Sequence, residues 1–205
     1  MELSQVGSDL LGVTESKVLA ALARLADPVS GRHLAKLAGA QSHSTVLRYL
    51  GRLRAIGLVR ATDTPSATLF RLNRRHVFWA PIEAILAAPA VIDQEIVKVV
   101  NAELGTAARV AAFGSVATGT SGPESDYDVL LVVEAGVSSE DRARAVAKVS
   151  ELIEELTGNE GQVVDVSEDE LSKLVADRSP LAIEWMNHAR PIDDRGRIPQ
   201  LRTAA

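Results

Sequence analysis

The segment from Ala112 to Val133 constrains the fold of this chain more than any other. An apolar run, Arg109 to Phe113, ends at Gly114-Ser115, and a polar turn with further glycines follows. Asp126-Tyr127-Asp128 then opens a second apolar run, Val129 to Val133. Short Val- and Leu-rich runs bounded by Gly, Ser and Pro predict two strands joined by a compact loop. Side chains two apart on a strand share a face, so Asp126 and Asp128 are expected side by side. Neighbouring carboxylates repel, and a divalent cation between them keeps both ionised. Gly114-Ser115 offers backbone N–H groups and a hydroxyl, which suit a phosphate. Together the two features describe a nucleotide site.

Much of the rest is bounded by composition. At 205 residues the chain holds one large domain or two small ones, either with a real core. It has no cysteine, which excludes disulfides, thiol catalysis and thiolate metal sites. No apolar run approaches membrane-spanning length and the acidic N-terminus lacks a signal pattern, so a cytoplasmic protein with no membrane partner is expected. Charge is unevenly spread: 11 Lys and Arg stand against 5 Asp and Glu up to Ala80, and 11 against 22 thereafter. Such asymmetry suggests halves with different partners, the basic one suited to nucleic acid.

In the basic part, Thr14 is expected to cap a helix whose apolar residues Val18, Leu22 and Leu25 recur at i, i+4 and i+7. Ser30 starts a short second helix closed by Gly39, and Ser42 caps a third that runs to Ile56. Val46, Leu50 and Leu53 form the inner face of that third helix, and Thr45, Arg48 and Arg52 project outward. Leu58 to Thr62 and Thr68 to Leu72, either side of Asp63-Thr-Pro-Ser66, read as a β-hairpin.

Three helices and a hairpin over Val13 to Arg75 resemble the winged helix-turn-helix of MarR/ArsR-like regulators. The resemblance implies that the third helix enters the major groove of double-stranded DNA and the hairpin touches its backbone. By position, Ser44, Thr45, Arg48 and Arg52 would meet DNA, with Arg60, Arg71, Arg74 and Arg75 on phosphates. A protein-docking role fits the same helix face.

His76 to Leu104 is expected to be helical, with Ile92, Ile96, Val99 and Leu104 in a stripe that packs between domains or forms a homodimer seam. Beyond it, strands at 109–113, 126–133 and 162–166 alternate with helices capped by Ser138, Ser167 and Ser179, and Pro191-Ile192 reads as an edge. The fold class is therefore α/β (α+β), over three parts: 1–76, a helical connector 77–105, and 106–205.

Gly114-Ser115, Asp126-x-Asp128 after a ten-residue gap, and Asp165 between Val164 and Val166 resemble the DNA polymerase β-type nucleotidyltransferase superfamily, in its minimal branch. The resemblance covers Ala107 to Ile192. It implies a short mixed sheet flanked by helices, with Asp126, Asp128 and Asp165 as a catalytic, Mg²⁺- or Mn²⁺-binding triad, and Gly114 and Ser115 on the phosphates of a nucleoside triphosphate. The implied activity is transfer of a nucleoside monophosphate to a hydroxyl acceptor, and a HEPN-type toxin is one protein acceptor the minimal branch suggests. The alternative is a transcriptional regulator whose nucleotidyltransferase domain senses nucleotide with weak turnover. Antibiotic modification fits less well, because an attached DNA reader adds nothing to it.

Other nucleotide and hydrolase motifs are absent. No Lys follows Gly119, which excludes a P-loop, and neither G-x-G-x-x-G nor G-x-S-x-G occurs at this turn. His33, His43, His76 and His188 have no mutual metal spacing. One departure from the family pattern stands out: Ala117-Thr118 replaces the basic residue many members carry after Gly-Ser. No Lys or Arg occurs between Arg109 and Arg142, leaving Lys148, Lys173 or Arg190 for the triphosphate's charge.

Overall fold

A computed structural model describes residues 1–3, 7–196 and 198–201. The chain folds as two compact units, 5–88 and 89–205 with 1–4.

The first unit opens with helices α1 (Ser8–Leu11) and α2 (Val13–Ala23), followed by strand β1 (Val29–Ser30) and helices α3 (Gly31–Leu37) and α4 (His43–Ala55). Strands β2 (Val59–Asp63) and β3 (Thr68–Leu72) complete it. Thr14 does not cap α2; the helix begins one residue earlier behind Gly12, whose positive φ of 92° turns the chain out of α1. Ser30 and Ser42 do cap, accepting from the backbone N–H groups of His33 and Thr45, each at 3.3 Å. Val18, Leu22, Leu34, Val46 and Leu50 are buried together with Val59, Phe70 and Leu72 from the inner face of an antiparallel β1-β3-β2 sheet.

Helix α5 (Trp79–Leu104) contributes its start to the first unit and its larger part to the second. There follow β4 (Ala108–Ala112), α6 (Gly114–Thr118), β5 (Tyr127–Val133), α7 (Ser139–Thr157), β6 (Gly161–Ser167), α8 (Glu168–Ala176), α9 (Pro180–His188) and β7 (Arg190–Pro191), then a 3-10 turn at Pro199–Leu201.

The second unit's sheet has the order β6-β5-β4-β7. Of its three strand pairs, β5/β6 is parallel and the others are antiparallel. Alternation along β5 feeds two cores. Val129, Leu131 and Val133 pack with Ile96 and Val100 of α5 and Val149 and Ile153 of α7. Leu130 and Val132 pack with Leu171 of α8 and Trp185 of α9. Helix caps hold the covering layers in place: Ser138 accepts from Asp141 N–H, Ser179 from Ala182 N–H, and Ser167 forms a full capping box with Glu170.

Among the described residues, no helix is long and apolar enough to cross a membrane.

Candidate functional site

Strand β4 delivers the chain to Gly114, and β5 returns beside it, since Phe113 N–H donates to the Asp128 carbonyl at 3.0 Å. Gly114 sits at φ +63°, and a Cβ there would lie 2.1 Å from Asp128 Oδ2. Glycine suits this corner for two reasons: the positive φ disfavours any side chain, and the Asp128 carboxylate occupies the space a Cβ would take. Phe113, the residue before it, is pinned by an edge-on ring contact with the buried Trp185, 5.9 Å between centroids. The polar turn foreseen after Gly-Ser begins as a short helix, α6, tied to the following loop where Thr120 N–H donates to the Ser115 carbonyl at 2.9 Å.

Asp126 lies just outside β5 and Asp128 inside it, both half-buried. The Gln162 side-chain amide donates to Asp126 Oδ2 at 2.6 Å, and Gln162 is the β6 partner of Asp128. The three side chains therefore gather on one face. Burial first, then the negative charges of Asp126 and Glu184, push the Asp128 carboxyl up to about 6. Glu184, on α9, is a contributor that no sequence pattern reveals, for its place in the site depends on how α9 packs against the sheet.

A second such residue is Asn159. It is buried, and its amide donates to the carbonyls of Pro123 and Ser125 at 3.1 and 2.8 Å, fixing the loop that delivers Asp126. Its only sequence signal is its position directly after Gly158, the stop of α7.

Asp165 does not join the pair, which corrects the expected triad. In the parallel β5/β6 register Asp128 faces Gln162, and Asp165 faces Leu131. Paired residues share a face, so Asp165 points to the side opposite Asp128. It lies three residues further along, roughly 10 Å of strand. There it accepts from Arg142 Nε of α7 at 2.6 Å, and Arg142 also reaches Glu170 at 3.5 Å. Among the described residues no group of three or more His, Cys, Asp or Glu side chains is arranged to hold a metal ion.

Two of the cations considered for the triphosphate are engaged elsewhere. Lys148 pairs with Glu103 at 2.5 Å. Arg190 pairs with Asp93 at 2.6 Å, where Tyr127 Oη also donates at 2.5 Å, beside a cavity of about 490 Å³ on the far side of the sheet from Asp128.

In the first unit Ser44, Arg48 and Arg52 are exposed along α4 and Thr45 is half-buried, while Tyr49 between them is buried with Arg52 over its ring. Arg60 and Arg71 lie directly opposite each other across β2 and β3. Their neighbours Val59, Phe70 and Leu72 point into the core, so both arginines leave the hairpin's outer face. Arg74 donates to the Ala23 carbonyl and stacks over Trp79, and Arg75 is exposed. The tip between the strands, Thr64 to Ala67, carries no basic residue.

Residues 94–191, just under half of the chain, match the family model described as a nucleotidyltransferase domain. This supports the nucleotidyltransferase superfamily for the segment that holds Gly114, Ser115, Asp126 and Asp128. No curated protein and no solved structure matches the chain.

Proposed function

We propose, from a nucleotidyltransferase domain over 94–191, that this protein transfers a nucleoside monophosphate from a triphosphate to a hydroxyl acceptor. The observation that carries the reading is the close approach of Gly114 to Asp128, which makes the Gly-Ser corner and the acidic pair one site. In such a transfer the acceptor oxygen bonds to the α-phosphorus while the bond to pyrophosphate breaks.

Two adjacent carboxylates fit a magnesium or manganese ion, which commonly takes one or two carboxylates and completes its shell with water and substrate phosphates. Asp126 and Asp128 would hold it, and the pKa of Asp128, raised first by burial and then by the charges of Asp126 and Glu184, includes a repulsion that such a cation relieves. When bound, the ion neutralises phosphate charge and lowers the pKa of the attacking group. The chain's own part is positioning. Gln162 orients Asp126, Asn159 fixes the approach loop, Gly114 leaves the corner open, and the Ser115 N–H and hydroxyl serve the phosphates. Incubation with Mg²⁺ and each of the four triphosphates, scoring pyrophosphate release with and without Asp128→Asn, tests the activity. Release that survives the substitution unchanged would sink it.

A second reading, nucleotide sensing with weak turnover, is favoured by one observation: Lys148 and Arg190 are occupied by Glu103 and Asp93. Its signature is metal-dependent nucleotide binding, seen as a thermal shift, without pyrophosphate release.

For the first unit we propose duplex-DNA binding through α4, with Ser44, Thr45, Arg48 and Arg52 toward the bases and neighbouring phosphates. A mobility shift lost in Arg48→Ala/Arg52→Ala would support it, and a full shift in that variant would not.

A further inference from the structure

Residues 119–126, which carry the chain from α6 to the first acid of the pair, form no helix or strand, so other segments must hold them. Asn159 is one anchor. Its amide nitrogen donates to the Met1 carbonyl at 3.1 Å as well as to those of Pro123 and Ser125, and its Oδ1 accepts from the Met1 nitrogen at 2.5 Å. An amide has two protons and here three acceptors, so the loop and residues 1–3 share one clasp. The Met1 nitrogen also donates to the Pro123 carbonyl at 3.1 Å. A further link is direct: the buried Ser121 hydroxyl donates to the Glu2 carboxylate at 3.2 Å. Buried hydroxyls need such partners, so Glu2 helps to seat Ser121. Leu3 pins the segment itself. It is 5% exposed and packs in the core that holds Val129 and Leu131 of β5. A short segment without secondary structure stays ordered only where contacts like these tie it down. Leu3 also lines the cavity of about 490 Å³ beside Val116 of α6 and Tyr127, the residue between the two acids.

We propose that Met1–Leu3 is a positioning strap for the candidate nucleotidyl site. It holds the 119–126 loop so that Asp126 stays beside Asp128, and its release loosens the cation's seat without unfolding the sheet. Two observations favour positioning over general stability. The strap's polar links fall on the loop and its anchor, at Ser121, Pro123 and Asn159, and not on the strands. The core that takes Leu3 is built mainly by α5, β4, β5 and α7, and Leu3 sits where that core meets the cavity. Its truncation widens an existing space at the margin instead of opening a void in the centre. Asp126 itself is oriented by Gln162, so the strap residues act through the loop and are not catalytic. The strap's hold on the loop stands on these contacts alone, and its bearing on catalysis rests on the nucleotidyl-transfer reading.

The test pairs hydrogen–deuterium exchange of the full chain with the Mg²⁺ dependence of pyrophosphate release, for Glu2→Ala, Leu3→Ala and the conservative Glu2→Gln and Leu3→Met. In both alanine variants the amides of 119–126 should exchange about tenfold faster, while those of α7 and β6 keep wild-type protection. The Mg²⁺ concentration for half-maximal release should rise about three- to tenfold, with the rate at saturating Mg²⁺ within about twofold of wild type. A merely less stable fold would instead lower release at every Mg²⁺ concentration. The amide oxygen in Glu2→Gln still accepts from Ser121, and Leu3→Met conserves volume, so both should behave as wild type. Glu2 is half-buried and outside the core, which keeps the test open should Leu3→Ala fail to fold. Wild-type exchange across 119–126 in Glu2→Ala and Leu3→Ala would overturn the strap. So would acceleration spread evenly over the loop, α7 and β6, or a faster loop with an unmoved Mg²⁺ requirement. A wild-type chain that releases no pyrophosphate, yet whose loop answers to Glu2→Ala, would reject the transfer reading and leave the strap's hold on the loop standing.

Discussion

The two units treat charge in opposite ways. In the second, cations are tied to carboxylates: Arg109 and Arg195 to Asp193, Arg142 to Asp165, Arg144 and Lys148 to Glu103, and Arg190 to Asp93. In the first, the sole ion pair among the described residues is the exposed Arg74–Glu83 contact at 3.8 Å. The second unit instead leaves acids uncompensated: Asp126 and Asp128 stand side by side, and among the described residues only the neutral Gln162 side chain donates to them. Paired charges fix elements in place, and unpaired ones are available to a ligand of opposite sign. On the proposed reading, the first unit would take phosphates and the second a cation.

The sharpest way to break this contrast is at the corner where the acidic pair meets the backbone. Gly114→Ala places a methyl group on Asp128 and strains a positive φ, so a loss of about 2–3 kcal/mol in denaturant melts is expected, with pyrophosphate release abolished. Adding Asp128→Ala should recover part of the stability and none of the activity. A Gly114→Ala protein as stable as wild type would mean that the corner is looser than this contact requires.

The Arg142–Asp165 pair gives the next largest effect. Arg142→Ala leaves Asp165 without its partner and should cost about 1–2 kcal/mol, given partial exposure. Pyrophosphate release should hold within about twofold, which a metal-binding Asp165 would not allow.

Titration of Asp128 sharpens the contrast further. Its folded pKa, about 6, lies above its ordinary value, so its contribution to stability is complete in acid and lost as pH rises through about 6. Tm should therefore fall between about pH 4 and pH 6 by more in wild type than in Asp128→Asn. Magnesium should restore it only above that range, where both carboxylates are charged. An identical pH profile in the two proteins would count against the uncompensated pair.

The smallest effect is expected from Tyr127→Phe, which removes one of the donors to Asp93 and leaves Arg190 in place. A change of about 1 kcal/mol in a chemical melt is expected, with nucleotide binding unaltered.

Sequence spoke most clearly where a local interaction decides the structure. Ser42, Ser138, Ser167 and Ser179 each cap the helix their pattern foretold, because a cap needs only the next three residues. Asp126 and Asp128 were legible as a pair for the same reason. Asp165 was not, because its direction depends on which residue of β6 pairs with Tyr127, and a one-residue slip in register flips every side chain. The two-residue strand β1 and the turn α1 are too short to carry a periodic pattern. Glu184 and Asn159 enter the site through packing and long-range hydrogen bonds, which no spacing within the sequence encodes.

Magnesium-dependent pyrophosphate release, measured in parallel for Asp126→Asn, Asp128→Asn and Asp165→Asn, tests the two-carboxylate site most directly. A loss of about 100-fold or more is predicted for the first two, with near wild-type release in the third. Equal loss in all three, or full activity without Asp128, would contradict it.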